Sequence, residues 1–249
     1  MILIGDIGNT DTKICLINKK YKIIKRIVLP TKKITKPSLK KNLNFLIKNN
    51  FPIKISLFCS VVPNKFLLIN FFIKNILKSK CIELKKINLS KFMKINVNKK
   101  QIGSDRLANA LAVISKKNNY IILDFGTATT FDVVNRNIYN GGVIAPGLSI
   151  SLATLIKKAT LIPKIDLKKI KNVIGKNTVS AVRAGFFWGY VGLINNIIEL
   201  IHKETKKTFK IIITGGFSTL FINSLRFKVS INKDITLKGL IKVAKLLNY

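Results

Sequence analysis

Acidic residues are scarce in this chain of 249 residues, which contains ten Asp and Glu against 45 Lys and Arg. The formal net charge of +35 would suit a protein that binds nucleic acid or an anionic surface. However, only five of the basic residues are arginine, the side chain that favours bidentate phosphate contacts and base reading. The lysines are spread along the chain beside many Ile and Asn, a bias typical of AT-rich coding. We therefore predict no specific nucleic-acid partner, only non-specific polyanion binding at low salt.

Cysteine and histidine are also rare. Cys15, Cys59 and Cys81 are widely spaced in apolar surroundings, and His202 is the single histidine. This pattern argues against a disulfide framework and against a Cys/His metal cluster, so we interpret the cysteines as packing residues of a protein in a reducing compartment. The first residues form a strand-like run rather than a charged segment followed by a long apolar one, and we expect a cytoplasmic protein.

Several familiar patterns are missing. Every apolar run is interrupted before the roughly 18 to 20 residues that span a bilayer, and the longest, Ala184 to Ile201, contains Asn195, Asn196 and Glu199. We predict a buried helix there and no membrane association. No G-x-x-x-x-G-K-[ST], strand-linked G-x-G-x-x-G or G-x-S-x-G sequence occurs, so neither a P-loop kinase, a Rossmann enzyme nor that class of hydrolase is supported.

Hydrophobic residues are abundant, at 48% of the chain, and their period predicts an α/β protein of two similar lobes, 1–115 and 116–249. Each lobe begins with three strands and continues with helices and further strands. The predicted strands of the first lobe are 2–5, 13–17, 22–29, 53–59 and 81–87, with helices at 38–49 and 63–78. Those of the second are 120–124, 129–135, 138–145 and 210–214, with helices after 146, at 177–202 and at 238–247.

The two lobes share a short repeat. Asp6-Ile-Gly-Asn-Thr-Asp-Thr12 can be laid on Asp124-Phe-Gly-Thr-Ala-Thr-Thr130, with glycine two residues after each aspartate. Each copy lies between two apolar strands and therefore predicts a β-hairpin with an acidic residue at its mouth and a glycine in a tight turn. Two such hairpins facing each other would form a phosphate clamp between lobes.

The first copy contains the groups that a phosphate site needs. Gly8 allows close approach of the main chain, Lys13 supplies a cation and Asp6 suits a hydrated Mg²⁺. An ordinary hairpin with turn-favouring residues is the alternative for this copy alone, and the second copy favours the phosphate function. The hydrogen-bond donors of the segment are Asn9, Thr10 and Thr12.

A third segment, Gly103 to Ala110, opens an apolar helix and places Asp105 and Arg106 in its first turn. One interpretation is a helix start with a favourable acid near the dipole. The other makes Asp105 a general base for a substrate hydroxyl and Arg106 an anion ligand, as phosphoryl transfer requires. Asp105 belongs to the small acidic set of this chain, which favours function.

Glycines mark three further places. Gly141-Gly142 and Gly215-Gly216 lie at strand ends, where a nucleotide could lie against the main chain, although plain strand-to-helix turns explain them equally well. The helix from Asn177 carries Arg183, and Gly185, Gly189 and Gly192 recur on it at near-helical spacing. This predicts a small-residue face packed on another helix, across lobes or subunits.

Taken in order, six segments resemble the type III pantothenate kinases, a branch of the actin-like kinase superfamily that includes the Bvg accessory factor proteins. The resemblance covers nearly the whole chain. It implies an α/β, actin-like (ribonuclease H-like) duplicated fold, whose two lobes each contain a mixed five-stranded sheet flanked by helices. The segments are Asp6-Ile-Gly-Asn-Thr, Gly103-Ser-Asp-Arg-Leu-Ala-Asn-Ala, Asp124-Phe-Gly-Thr-Ala-Thr-Thr, Gly141-Gly-Val-Ile-Ala-Pro-Gly-Leu, Asn177-Thr178 and Thr214-Gly-Gly.

The same resemblance implies ATP-dependent phosphorylation of pantothenate to 4'-phosphopantothenate, the first step of coenzyme A synthesis. It implies Mg²⁺, a monovalent cation (K⁺ or NH₄⁺) and a homodimer. By motif position, Asp105 is the proton acceptor and Asp124 binds the monovalent cation. The implied ATP ligands are Asp6 (also a water-mediated Mg²⁺ ligand), Gly8, Asn9, Thr10, Asp11, Thr12, Lys13 and Thr127. The implied pantothenate ligands are Gly103, Ser104, Asp105, Arg106 and, from the dimer interface, Thr178.

One stretch departs from the family pattern. The family tends to place an aromatic substrate contact and a proline shortly before the Gly-x-Asp-Arg segment, whereas this chain has Ile95-Asn-Val-Asn-Lys-Lys-Gln-Ile102. The substrate-side wall is therefore expected to differ, while the phosphate residues are intact. Two alternatives stay open at this point: an actin-like kinase for another small metabolite, and a non-catalytic regulatory or nucleic-acid-binding member of the family.

Overall fold

The N-terminal part of the chain is built on a mixed five-stranded sheet. The computed structural model describes residues 1–49 and 51–249 and groups 1–114 with 234–249 into one compact unit and 115–233 into another. In the first unit the strand order is β3-β2-β1-β4-β5, with β1 antiparallel to β2 and parallel to β4. The strands are β1 (Ile2–Ile7), β2 (Asp11–Ile17), β3 (Ile23–Pro30), β4 (Ile55–Ser60) and β5 (Cys81–Glu83).

Helices cover this sheet because its central strands are apolar on both faces. Strands β1 and β4 are buried along nearly their whole length, as expected for strands that need cover on each side. The helices of the unit are α1 (Lys36–Lys48), α2 (Pro63–Ile76), α3 (Ser104–Val113) and α7 (Ile235–Leu246), and a short strand β6 (Lys94–Ile95) and three 3₁₀ turns (31–33, 84–86 and 89–91) complete it.

The second unit repeats the arrangement. Its own strands lie in the order β11-β10-β7-β8-β9, with β7 antiparallel to β8 and parallel to β10. They are β7 (Asn119–Phe125), β8 (Ala128–Asn135), β9 (Ile138–Pro146), β10 (Lys210–Gly215) and β11 (Val229–Ile231), and the helices are α4 (Leu148–Lys158), α5 (Thr178–Thr205) and α6 (Ser218–Phe221). An α/β fold with two mixed sheets flanked by helices is therefore confirmed.

Helix α5 supplies much of the second core. Phe187, Ile194 and Ile198 are buried against the sheet residues Ile121 and Phe131. Among the described residues, α5 is the one helix long and apolar enough, by length and composition, to cross a membrane. One face of α5 is buried in this core and its other residues are partly buried or exposed, so the buried helix predicted at Ala184 to Ile201 is confirmed on one face only.

The last residues of the chain pack elsewhere than the sequence indicated. We expected 116–249 to form one lobe, whereas the structure groups 234–249 with the first unit. Helix α7 lies against α3 so closely that a Cβ at Gly239 would collide with the Ala108 carbonyl. Thr236 Oγ1 donates to Asn109 Oδ1 at 2.8 Å, and Lys242 Nζ donates to the Ile114 carbonyl at 2.8 Å. A close helix pair, invisible in local sequence, thus decides where the terminal segment belongs.

Candidate active site

Asp6 lies at the end of β1, opposite Lys13 of β2 in the antiparallel register. Side chains that face each other across such a pair share one side of the sheet, so the carboxylate and the ammonium group are neighbours. Burial raises the pKa of Asp6 to about 6, the Lys13 ammonium opposes that rise, and the carboxylate of Asp105 adds to it. Asp6, Lys13 and Asp105, all predicted as site residues, are therefore brought together within the N-terminal unit.

Cys59 is a further neighbour of this carboxylate. It lies on β4 directly beside Asp6 in the parallel register, is fully buried, and its Sγ donates to Asp6 Oδ1 at 3.5 Å. Burial raises the pKa of the Cys59 thiol well above its ordinary value, and the nearby carboxylates of Asp6 and Asp105 raise it further. The thiol is therefore held as a neutral donor, a role beyond the packing role we assigned to it.

Hydrogen bonds from buried residues stabilise the turn after β1. Gly8 N–H donates to the Asp11 carbonyl at 3.0 Å, and Thr31 Oγ1 donates to the Gly8 carbonyl at 2.7 Å. Thr12, a predicted ATP ligand, is fully buried and shares a hydrogen bond with Thr31, 2.9 Å between the two hydroxyl oxygens. Its side chain therefore stabilises the hairpin from inside. The exposed residues of the turn are Asn9, Thr10 and Asp11.

Asp105 lies in the first turn of α3, as predicted. Gly103 occupies the N-cap, and Asp105 Oδ1 accepts a hydrogen bond from the Arg106 N–H at 2.8 Å. Burial raises the pKa of Asp105, while that N–H and the Arg106 guanidinium oppose the rise. A Cβ at Gly103 would collide with Asp105 Oδ1, so a side chain at this position would displace the carboxylate that folds back over the helix start.

Ser104 is turned away from solvent. Its side chain is 1% exposed, and its hydroxyl donates to Glu83 Oε1 at the end of β5. The other oxygen, Glu83 Oε2, accepts from the Lys85 N–H at 2.7 Å. The Ser104 hydroxyl is therefore occupied by Glu83 within the protein interior. We did not predict Glu83 as a site residue from the sequence. The one indication there was that Glu83 is among the ten acidic residues of the chain.

The second hairpin places Asp124 at the end of β7, opposite Thr130 of β8. Thr127, the predicted ATP contact, is exposed in the turn. The turn is closed by the Gly126 N–H, which donates to the Ala128 carbonyl at 3.1 Å. Gly147, the N-cap of α4, approaches so closely that a Cβ there would collide with the Thr127 carbonyl. The predicted Gly/Pro turn thus packs the start of α4 on this hairpin.

Gly215 is the last residue of β10 and Gly216 follows it, beside the same hairpin. Thr214 is the parallel partner of Asp124, and Gly215 is the partner of Phe125. Gly215 has φ +86°, and a Cβ there would collide with the main chain of Phe125, whose carbonyl accepts from the Gly216 N–H at 3.2 Å. Asp124, the exposed turn and the glycine pair therefore lie at the carboxyl ends of two adjacent parallel strands, the usual place for a ligand in such sheets.

Thr178 begins α5 and is exposed. Its helix start is fixed by a capping box, in which Asn177 Oδ1 accepts from the Ser180 N–H at 2.9 Å and Ser180 Oγ accepts from the Asn177 N–H at 3.1 Å. Further along α5, added Cβ atoms at the three spaced glycines would meet no other described atom within 4 Å. The small-residue face is therefore open within the described chain. These glycines are Gly185, Gly189 and Gly192.

The acidic residues suit a divalent ion shared with phosphates better than a protein-enclosed metal. The described residues contain no group of three or more His, Cys, Asp or Glu that could hold a metal alone. Mg²⁺ is commonly held by one or two carboxylates, water and substrate phosphate oxygens. Asp6 and Asp105 are close enough for each other's charge to be felt, and a cation would offset that repulsion. The donor set therefore fits Mg²⁺ at Asp6.

Comparison with known proteins gives a consistent result. A family model described as type III pantothenate kinase matches residues 2–200. The chain is 64% identical over 247 residues to a type III pantothenate kinase of Pelagibacter ubique, covering 99% of this chain and 100% of the relative. It is 41% identical over 145 residues to a type III pantothenate kinase of Syntrophotalea carbinolica, covering 57% of each chain.

Solved structures share the fold at low identity. A conserved Baf family protein from Campylobacter jejuni superposes with a TM-score of 0.62 at 18% identity, over 99% of both chains. A protein from Sinorhizobium meliloti assigned as a 2-dehydro-3-deoxygalactonokinase superposes with a TM-score of 0.64 at 9% identity, also over 99% of both. These likenesses support the actin-like kinase fold. The family model and the full-length relative show that the chain belongs to the type III pantothenate kinase family.

Proposed function

We propose that this protein transfers the γ-phosphoryl group of ATP to the terminal hydroxyl of pantothenate, the first step of coenzyme A synthesis. Family membership supports the reaction class. The observation that carries the proposal is the grouping of Asp6, Lys13 and Asp105, in which the last two both act on the pKa of Asp6. Phosphoryl transfer needs such a site, because catalysis rests on positioning and on charge compensation.

Asp105 is the base of the proposed reaction. It accepts the proton of the pantothenate hydroxyl as that oxygen bonds to the γ-phosphorus, while the bond from the γ-phosphorus to the bridging oxygen breaks and ADP leaves. Burial raises the pKa of Asp105, and a carboxylate of raised pKa accepts a proton more readily near neutral pH. The Arg106 N–H holds the carboxylate in place at 2.8 Å.

The first hairpin binds the ATP phosphates. The exposed turn residues Asn9, Thr10 and Asp11 lie beside Lys13, whose ammonium offsets phosphate charge. Asp6 would hold a hydrated Mg²⁺, which would supply charge neutralisation to the transferred group. The main chain around Gly8 and the buried Thr12 keep the turn in shape.

The second hairpin contributes two further binding residues to the proposed site. Thr127 contacts ATP, and Asp124 binds a monovalent cation, K⁺ or NH₄⁺. Support comes from their place at the carboxyl ends of two parallel strands, beside Gly215 with its positive φ. The two hairpins belong to the two halves of the molecule, 1–114 with 234–249 and 115–233.

Pantothenate is proposed to contact Gly103, Ser104 through its main chain, Asp105 and Arg106, with Thr178 contributed across a homodimer interface. The open glycine face of α5 supports the dimer, since small residues let a second helix approach closely. A groove of about 340 Å³ runs along this face. We place the protein in the cytoplasm, where coenzyme A synthesis would use it.

The test is a coupled assay of ADP release with ATP, Mg²⁺ and K⁺, with pantothenate or a panel of other small alcohols. Among these alcohols, we expect only pantothenate to support ADP release. The rate should fall when Na⁺ replaces K⁺. Asp105→Asn should lower kcat by about 10² to 10⁴-fold, because the proton acceptor is lost. Asp166→Asn, a neutralisation at an exposed aspartate, should leave kcat unchanged. Full turnover by Asp105→Asn would refute the base assignment, and turnover with another alcohol would change the substrate.

A further inference from the structure

Glu83 links two elements that meet at the start of α3. It is the last residue of β5, and each of its carboxylate oxygens has a different partner. Oε1 accepts from the buried Ser104 hydroxyl, and Oε2 accepts from the Lys85 N–H at 2.7 Å. Hydrogen bonds to a charged carboxylate are stronger than those between neutral groups. The first residue of α3 is therefore anchored to the sheet beside the base Asp105.

Lys85 anchors the segment that leads into α3. Its Nζ donates to the Ile102 carbonyl at 2.9 Å and to the Lys100 carbonyl at 3.0 Å. These carbonyls lie in the polar stretch that departs from the family pattern. Lys85 is partly buried, whereas the next residue, Lys86, is exposed. A single 3₁₀ turn after β5 thus holds both the first residue of α3 and the loop before it.

We propose that Glu83 and Lys85 are positioning residues for the catalytic base, which act by fixing the start of α3 and the end of the preceding loop. This inference rests on the proposed function for its kinetic consequences. The carboxylate of Asp105 folds back over Gly103, so its place depends on the residues on either side of that glycine. Misplacing a reacting group by about 1 Å can cost about 10²-fold in rate.

The proposal also assigns a role to the Ser104 hydroxyl, which binds Glu83 rather than the substrate. If Ser104 acts through Glu83, removing either partner removes the same interaction, so the effects of Glu83→Ala and Ser104→Ala should not multiply. If the Ser104 hydroxyl instead contacted pantothenate, the two effects would be independent. A double-mutant cycle on kcat separates these outcomes.

The kinetic arm uses four single variants, one double variant and two matched controls. Glu83→Ala and Ser104→Ala should each lower kcat about 10- to 100-fold. The kcat of the double variant should be no lower than that of the less active single variant. Their KM for ATP should stay within about twofold, because the first hairpin is untouched. Glu83→Gln should recover part of kcat, since its amide oxygen can still accept from Ser104 while its NH2 group cannot accept from the Lys85 N–H. Lys85→Met should raise the KM for pantothenate, because the loop before Gly103 is loosened.

Glu204→Ala and Lys86→Met are the controls. Both residues are exposed, and the changes remove the same charges as Glu83→Ala and Lys85→Met, so they should leave both kcat and KM unchanged. Assays are run below the unfolding temperature of every variant. Multiplicative effects in the cycle, or equal losses of kcat in Glu83→Gln and Glu83→Ala, would overturn the proposal.

An exchange measurement tests the proposal without kinase activity. The Leu107 N–H donates to the Gly103 carbonyl at 3.2 Å, and its hydrogen exchange reports opening of the first turn of α3. Glu83→Ala should speed exchange at Leu107 about tenfold or more, with a smaller increase in Glu83→Gln and α5 amides unchanged. Wild-type protein that turns over no pantothenate would refute the proposed function. Unchanged exchange at Leu107 in Glu83→Ala would instead refute the positioning role.

Discussion

The two hairpins share a sequence pattern but differ by one residue in their turns. Residues 8–11 separate the paired Ile7 and Thr12 in the first hairpin, whereas 126–128 separate the paired Phe125 and Thr129 in the second. In register, therefore, Thr12 corresponds to Thr129, and both side chains are fully buried. Lys13 takes the place that Thr130 has in the second hairpin. The comparison by letters, which laid Thr12 on Thr130, is off by one position.

This extra residue gives the two hairpins different chemistry. A lysine faces the carboxylate of Asp6, whereas a threonine faces the carboxylate of Asp124. The first hairpin thus carries a cation for phosphate charge beside a carboxylate of raised pKa. In the second hairpin a threonine lies opposite Asp124, where we propose a site for a monovalent cation. The one-residue difference in the turns therefore places a lysine opposite one aspartate and a threonine opposite the other.

The largest expected effect tests the carboxylate of the first hairpin. Asp6→Asn should lower kcat about 10³-fold, because the ligand of the divalent ion and its charge are both lost. The matched neutralisation Asp166→Asn, at an exposed aspartate, should have no effect. The measurement is steady-state ADP release over a range of Mg²⁺ concentrations. Activity of Asp6→Asn near wild type would show that the first hairpin does not carry the metal.

The same variant should be more stable than the wild type without ligands. The pKa of Asp6 in the fold is about 6, above the ordinary 3.8, so the fold favours its protonated form. This stabilisation is complete below pH 3.8 and is lost as the pH rises through about 6. At about 1.4 kcal/mol per pKa unit, the loss is at most about 3 kcal/mol. Urea unfolding from pH 4 to 8 should show that the free energy of unfolding of Asp6→Asn rises relative to that of the wild type as the pH increases. A difference that does not change with pH would contradict this.

Removing the cation should make the first hairpin resemble the second. Lys13→Met should lower kcat/KM for MgATP about 30-fold, because phosphate charge is no longer offset. It should also move the acidic limb of the pH profile of kcat/KM to higher pH, since the Lys13 ammonium lowers the pKa of Asp6. Lys20→Met, at an exposed lysine beyond β2, is the control. An unshifted acidic limb would show that the lysine acts on phosphate alone.

Much of the fold and the site could be predicted because the signals were local. The period of the apolar residues and the turn-forming residues between them predict both hairpins and most strands within a few residues of the observed bounds. They also predict the helix start that places Asp105 in the first turn of α3. Short elements were missed: β11 is three residues long and α6 four, too short for a period to show. The predicted 81–87 strand is in fact β5 followed by a 3₁₀ turn, since Glu83 binds back to the Lys85 N–H.

What sequence reasoning missed depends on contacts between distant segments. Cys59 reads as a packing residue until the register of β4 places it beside Asp6. Helix α7 looks like part of the second lobe until Gly239 brings it onto α3. No local pattern encodes either partner, because parallel neighbours and helix pairs are joined only by the whole topology. The scarcity of acidic residues, ten in a strongly basic chain, nevertheless marks Glu83 as a residue worth considering for a specific role.

The smallest expected effect concerns the two turn glycines, which the sequence treats as equivalent. Neither Gly8 nor Gly126 is among the glycines with positive φ, so the expected tight-turn requirement for glycine is not what distinguishes them. A Cβ at Gly8 would lie 3.0 Å from the Asp11 carbonyl, whereas one at Gly126 would lie 3.5 Å from the Ala128 carbonyl, an ordinary contact.

Gly8→Ala should therefore destabilise the protein by about 1 kcal/mol, since the main chain of the turn must shift. Gly126→Ala should be neutral or stabilising by about 0.5 kcal/mol, because alanine restricts the unfolded chain at no cost in the fold. Gly215→Ala, which combines φ +86° with a collision against Phe125, sets the scale of a forbidden substitution. Thermal unfolding of the three variants at one pH measures the order. Equal losses at Gly8 and Gly126 would mean that the one-residue difference between the hairpins leaves their turns equally tight, and the difference in chemistry would then rest on Lys13 alone.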